Sequence, residues 1–166
     1  MGVVAGGPLE FDDWYQSAHP RLVAVLVSLT GSLELAAEAV DEACLRALGR
    51  WSRVGAMEAP EAWVRRVAIN YAKRRLRRTA LERRLLARSR PPEDLPGPAG
   101  EIWDAVSRLP LRQRTAVVLR YVADLPEAEV ARTMKVSRGT VASTLADARR
   151  RLGHVLSEEP ERVGND

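Results

Sequence analysis

Residues 125–152 read LPEAEVARTMKVSRGTVASTLADARRRL, and the fold turns on this stretch. The spacing predicts a short helix from Pro126 to Met134, a tight turn at Lys135 and Val136, and a long helix capped by Ser137, which together make a helix-turn-helix. Val130, Ala131, Val136, Val141 and Leu145 are the apolar residues that fill the angle between two such helices. On the second helix Val141, Leu145, Ala148 and Leu152 share one face. Gly139, Thr140, Ser143, Ala146, Asp147 and Arg150 then point outward, a small and polar strip of the kind that enters a major groove. Arg138, Arg149 and Arg151 flank it and suit phosphates. An ordinary helical hairpin would share the apolar angle. The capped turn, the polar strip and the terminal arginines favour a reader of DNA.

Working back from this motif, Leu111 to Asp124 predicts a helix with Ala116, Val117, Val118, Tyr121 and Val122 in the core, preceded by a short helix, Ile102 to Leu109, stopped by Pro110. Before that the chain reads SRPPEDLPGPAG from Ser89 to Gly100. Four prolines remove backbone donors and fix φ, so neither helix nor sheet runs through, and the stretch reads as an inter-domain linker. The domains it separates are 9–88 and 101–156. Residues 1–8 and the acidic tail 157–166 read as flexible ends.

The first domain reads as helices over Phe11 to Leu29 and Leu33 to Arg50, then a loop around Ser52 to Ala59 and a third helix from Glu61 to about Arg78 behind Pro60. Gly31 offers the stop between the first two. On the third helix, Trp63, Val64, Val67, Ala68 and Tyr71 are read as the packed face, with Trp63 in the core. Arg66, Asn70, Lys73 and Arg77 form another face, which continues through Arg74, Arg75 and Arg78. This is the density of charge that phosphate neutralisation requires, and Asn70 within it can bond a base edge. The Leu33 to Arg50 helix has the opposite sign. Ala36, Val40, Ala43, Cys44 and Ala47 face inward, whereas Glu34, Glu38, Asp41, Glu42 and Leu45 face outward. A leucine among carboxylates is the composition of a protein docking site.

Charge is segregated accordingly. The chain of 166 residues carries a net +4, yet residues 65–90 hold eleven Lys/Arg against Glu82 alone, and residues 1–64 hold four Arg against nine acids. Two partner surfaces are implied, one for a polyanion and one for something basic. With aromatics at 5% and no alternating β-branched runs, the chain reads as all-α, two small helical domains. The single cysteine, Cys44, excludes an internal disulfide and fits a reducing compartment. The longest apolar run, Leu22 to Leu29, is far short of the ~20 residues of a membrane span, and Met1 to Pro8 does not resemble a signal peptide. A cytoplasmic location is expected. His19, His154 and Cys44 make no metal-ligand cluster and there is no Gly-rich phosphate loop, so no enzyme, no metal and no cofactor are expected.

These segments together resemble the extracytoplasmic-function sigma factors, the minimal two-domain specificity subunits of bacterial RNA polymerase, of the sigma-E-like type. LPLRQRTAVVLRYVADLPEAEVARTMKVSRGTVASTLADARRRL is similar to the family's fourth-region signature, EAPEAWVRRVAINYAKRRLRR to its minus-ten helix, and LAAEAVDEACLRALGRW to its polymerase-docking segment. The resemblance implies that Glu38, Asp41, Glu42 and Leu45 contact the clamp helices of core RNA polymerase. It implies that Arg66, Asn70, Lys73, Arg74, Arg77 and Arg78 hold minus-ten DNA. Ser137, Arg138, Thr140, Ser143, Thr144, Asp147, Arg149 and Arg150 would meet the minus-thirty-five element. Promoter DNA, core polymerase and an anti-sigma factor are the implied partners, and the free chain is expected to be monomeric. The family commonly has Gln-Glu at Asp41-Glu42, and often Lys and Arg at Ala142 and Thr144, so shape and phosphate contacts take a larger share here. The rival reading is a free-standing helix-turn-helix regulator, which leaves the acidic face and the basic helix without a role.

Overall fold

The computed structural model describes residues 10–86 and 100–158, and among these all regular structure is helical. The chain divides into two compact units between Gly97 and Pro98, within the proline-rich stretch. Residues 1–8, linker residues 89–99 and the tail beyond Glu158 lie outside the described residues.

The first unit contains α1 (Phe11–Thr30), α2 (Leu33–Leu48), α3 (Trp51–Val54) and α4 (Pro60–Leu86). Gly31 ends α1 in the left-handed region at φ +70°, its N–H donating to the Val27 carbonyl at 2.8 Å, a conformation that glycine adopts without penalty. One residue later Ser32 caps α2, its Oγ accepting from the Leu35 N–H at 3.2 Å. The inward face of α2 is built of small side chains, Ala36, Ala39, Val40, Ala43, Cys44 and Ala47, which let α1 and α4 approach closely. Leu22, Leu26 and Leu29 of α1 fill the space between and are fully buried. Truncating any one of them to Ala would cost about 2–5 kcal/mol.

Three sequence expectations for this unit are corrected. The segment read as a loop from Ser52 contains α3, a single turn whose Trp51 packs on Phe11 and Trp14 with ring centroids 5.1 and 5.0 Å apart. Four residues carry no periodicity, so only the aromatic contacts declare it. Second, α4 runs on to Leu86, supported by the Arg78–Glu82 pair at 2.8 Å. Third, its buried arc is Val64, Arg65, Ala68, Ile69 and Ala72, rotated from the one expected. Trp63, Val67 and Tyr71 are only half-buried, and Trp63 is not a core residue.

The second unit contains α5 (Glu101–Arg108), α6 (Leu111–Val117) continuing into a π-turn (Val118–Val122), α7 (Glu127–Met134) and α8 (Arg138–Glu158). α8 packs on α5, α6 and α7 through Val141, Leu145 and Ala148, and extends past the Leu156 end expected for it. Arg114 ties α5 to α6. Its guanidinium donates to the carbonyls of Ser107 at 2.6 Å and Leu109 at 3.3 Å, and burial pushes its pKa down. The expected core positions Tyr121 and Val122 are exposed instead. The Ala123 N–H bonds the carbonyl of Val118, five residues back, at 3.0 Å; this wider turn shifts the register, leaving Val118 and Leu119 buried and Tyr121 outside.

Candidate nucleic-acid interface

α7, the turn and α8 form the helix-turn-helix. Lys135 takes the left-handed conformation at φ +56°, and the Val136 N–H reaches back to the Ala131 carbonyl at 3.0 Å, closing α7. Ser137 caps α8, its Oγ accepting from the Thr140 N–H at 3.1 Å. Beneath the turn lies a shallow groove lined in part by Arg132, Lys135 and Arg138. Gly139, Ser143, Ala146 and Arg150 are exposed and Thr140 and Asp147 half-exposed, as the periodicity requires.

Geometry refines several expected contacts. Thr144 is corrected: it is 8% exposed and its hydroxyl donates to the Thr140 carbonyl at 2.7 Å, so it lies on the packed face and belongs to no outward strip. Its position one turn before Ala148 and one residue before Leu145 makes it core. The Ser137 side chain is engaged in the cap. Arg150 is paired along the helix with Asp147, and the guanidinium of Arg149 bonds the Tyr121 hydroxyl through Nε at 3.0 Å and Nη2 at 2.6 Å. The contact of Tyr121 with α8 is not legible in the sequence, because at α-helical spacing the tyrosine falls among core positions.

On α4, Arg74, Arg77 and Arg78 are exposed and Arg66, Asn70 and Lys73 half-exposed, all off the buried arc. At 100° per residue Trp63 shares the arc of Arg66, Asn70 and Arg74. An aromatic ring thus stands beside the basic stripe. Arg65, counted with the basic run by composition, is buried at 8% exposure.

The acidic face of α2 is partly turned to internal duties. Glu38 accepts from the Tyr71 hydroxyl at 2.5 Å and lies 3.7 Å from Arg75, both on α4. That bond holds the Tyr71 phenol above its ordinary pKa. Asp41 meets His19 Nε2 of α1 at 2.8 Å, and Glu42 pairs with Arg46 at 2.7 Å. Leu45 is 64% exposed as expected, and Leu48, which drew no attention in the sequence, is 50% exposed one turn on.

A helix-turn-helix in one unit and a basic helix beside an acidic, leucine-bearing one in the other define a two-domain protein of transcription. Residues 14–82 match the Sigma-70 region 2 family and residues 99–152 the Sigma-70, region 4 family. The chain is 29% identical over 156 residues to the RNA polymerase sigma-E factor of Streptomyces antibioticus, with 91% of this chain and 87% of that protein covered. It is 30% identical over 162 residues to the ECF RNA polymerase sigma factor SigM of Mycobacterium tuberculosis, covering 92% of this chain and 80% of that one. It also spans 36% of an uncharacterized Rhizobium meliloti protein, at 30% identity over 162 residues. Two solved structures share the fold. One is the sigma factor RpoE in complex with the anti-sigma factor NepR from Bartonella quintana (TM-score 0.70, 19% identity, 90% of this chain and 98% of that one). The other is CnrH in complex with the cytosolic domain of CnrY (TM-score 0.63, 18% identity, 90% and 89%). The chain belongs to the extracytoplasmic-function group of RNA polymerase sigma factors.

Proposed function

We propose a division of labour for this sigma factor in promoter-specific initiation. α2 docks core polymerase through Leu45, Leu48 and the carboxylates around them. α4 holds minus-ten DNA with Arg66, Lys73, Arg74, Arg77 and Arg78 against phosphates, Asn70 against a base edge and Trp63 beside them. α8 reads the minus-thirty-five element in the major groove, with Arg150 exchanging Asp147 for a guanine edge. The observation that carries this reading is that both sigma regions match in order, each on its own compact unit. On this reading the chain itself performs no covalent chemistry, acts in the cytoplasm beside the polymerase, and is a monomer when free. An anti-sigma protein covering the docking face is its natural regulator.

The test is holoenzyme transcription on a promoter series changed one base at a time, at two salt concentrations. Arg150→Ala should relax preference within the minus-thirty-five element, each bidentate guanine contact discriminating by ~1–3 kcal/mol, and leave minus-ten preference unchanged. Lys73→Ala and Arg77→Ala should lower open-complex formation on every promoter and reduce the salt slope by about one unit per contact. If Arg150→Ala lowered all promoters equally while Lys73→Ala changed base preference, the reading and holding roles would be exchanged.

A further inference from the structure

The π-turn after α6 places one side chain where the recognition helix can use it. Tyr121 is 52% exposed, and its hydroxyl oxygen accepts from both Nε and Nη2 of Arg149 on the flank of α8. Arg149 also stands 5.9 Å from the phenol ring centroid, and Arg120 5.7 Å from it. Arg120 Nη1 lies 3.8 Å from the carboxylate of Asp124, which is almost wholly exposed.

The chemistry of the phenol is specific. A hydroxyl offers two lone pairs and one proton, and here Arg149 occupies the oxygen as donor. The phenol proton has no acceptor among the described residues, and Arg149 retains N–H donors beyond the two that face Tyr121. The spare N–H donors of Arg149, whose guanidinium the phenol oxygen holds beside the recognition helix, suit one oxyanion. An arginine on a long stem otherwise loses rotamer freedom on reaching a phosphate, and fixing it beforehand lowers that cost.

We infer that Tyr121 is a positioning residue for DNA: it holds Arg149 against the flank of α8 so that the guanidinium grips one phosphodiester of the minus-thirty-five backbone. This rests on the reading of α8 as the minus-thirty-five helix. The grip carries no base preference of its own. It fixes the register in which the outward strip of α8 meets base edges.

Tyr121→Phe keeps the ring and both cation–π contacts and removes the hydroxyl alone. With holoenzyme binding a promoter duplex over a salt series, Arg149→Ala should lower affinity and flatten the salt slope by about one ion. Tyr121→Phe should lower affinity up to about tenfold on all minus-thirty-five sequences. It should also move the slope toward that of Arg149→Ala, and the double variant should match Arg149→Ala alone. Thermal unfolding of each variant separates fold from binding, since a purely structural hydroxyl would move the melting temperature and leave the slope. An unchanged slope in Arg149→Ala would overturn the placement of that flank on the backbone, and the positioning role with it. A flattened slope in Arg149→Ala with no effect of Tyr121→Phe, or with additive effects in the double variant, would overturn the role of Tyr121 while leaving the DNA reading intact.

Discussion

Cys44 sits on the inward face of α2 at 3% exposure, and burial, helped by the neighbouring Asp41, pushes its thiol from 9.0 up to about 11. The thiolate is the reactive species, so this cysteine serves as a small apolar filler and not as a nucleophile. Its titration is nevertheless readable as stability. Between pH 9 and pH 11 the unfolded chain has released the thiol proton and the folded chain retains it. Stability contributed by the protonated thiol is therefore fully present below pH 9 and lost as pH rises toward 11, at about 1.4 kcal/mol per pH unit. Urea unfolding of the wild type at pH 8 to 10 should show this decline, and Cys44→Ala should remove that component of it while lowering stability at pH 8. Equal pH slopes in the two proteins would mean that the thiol is not protected by burial.

α2 has two kinds of outward residue, and they should separate under mutation. Glu38 and Asp41 bond α4 and α1, whereas Leu45 and Leu48 are exposed apolar side chains one turn apart. Leu45→Asp with Leu48→Asp should abolish co-purification with core polymerase and leave the melting temperature within a degree or so, because neither leucine is packed. Glu38→Gln should instead lower stability, by under about 1 kcal/mol, since its pairs are half-exposed. Retention of normal polymerase affinity in the double leucine variant would make the face ordinary solvated surface. The same helix illustrates what the sequence makes legible. A buried face of small residues at helical spacing and a capping serine can be read directly, as can the turn at Lys135 and the capped start of α8. The register of a long amphipathic helix is harder: α4 carries arginines so densely that Arg65 falls inside the buried arc and Trp63 outside it. Tyr121 was hidden for a different reason. A π-turn is set by tertiary packing and leaves no local signature, so α-helical spacing through Val118 and Leu119 assigns the tyrosine to the wrong side.

For the whole chain, affinity for DNA follows from how its donors and charges are distributed. The outward strip of α8 includes Gly139 and Ala146, which have no side-chain donors, and its one long donor, Arg150, is paired with Asp147. On the proposed reading, direct base readout is therefore sparse and phosphate contacts should dominate the binding energy. The positive stretch 65–90 is offset by the acidic residues of 1–64, leaving a net charge of only +4 for the whole chain. A protein of this kind should bind duplex DNA alone only in the range of non-specific complexes, Kd on the order of 10⁻⁴ to 10⁻⁶ M at physiological salt, with a steep salt dependence. Core polymerase changes the balance by adding its own backbone contacts and by presenting both units to one promoter at high effective concentration. Fluorescence anisotropy on a promoter duplex and a scrambled duplex, at two salt concentrations, should show no preference for the free chain. A preference for the promoter of at least ~10³-fold should emerge with holoenzyme, the lower end of typical specific recognition. Tight, salt-resistant and sequence-selective binding by the free chain would identify it as a free-standing regulator, and the acidic face of α2 would then need another partner.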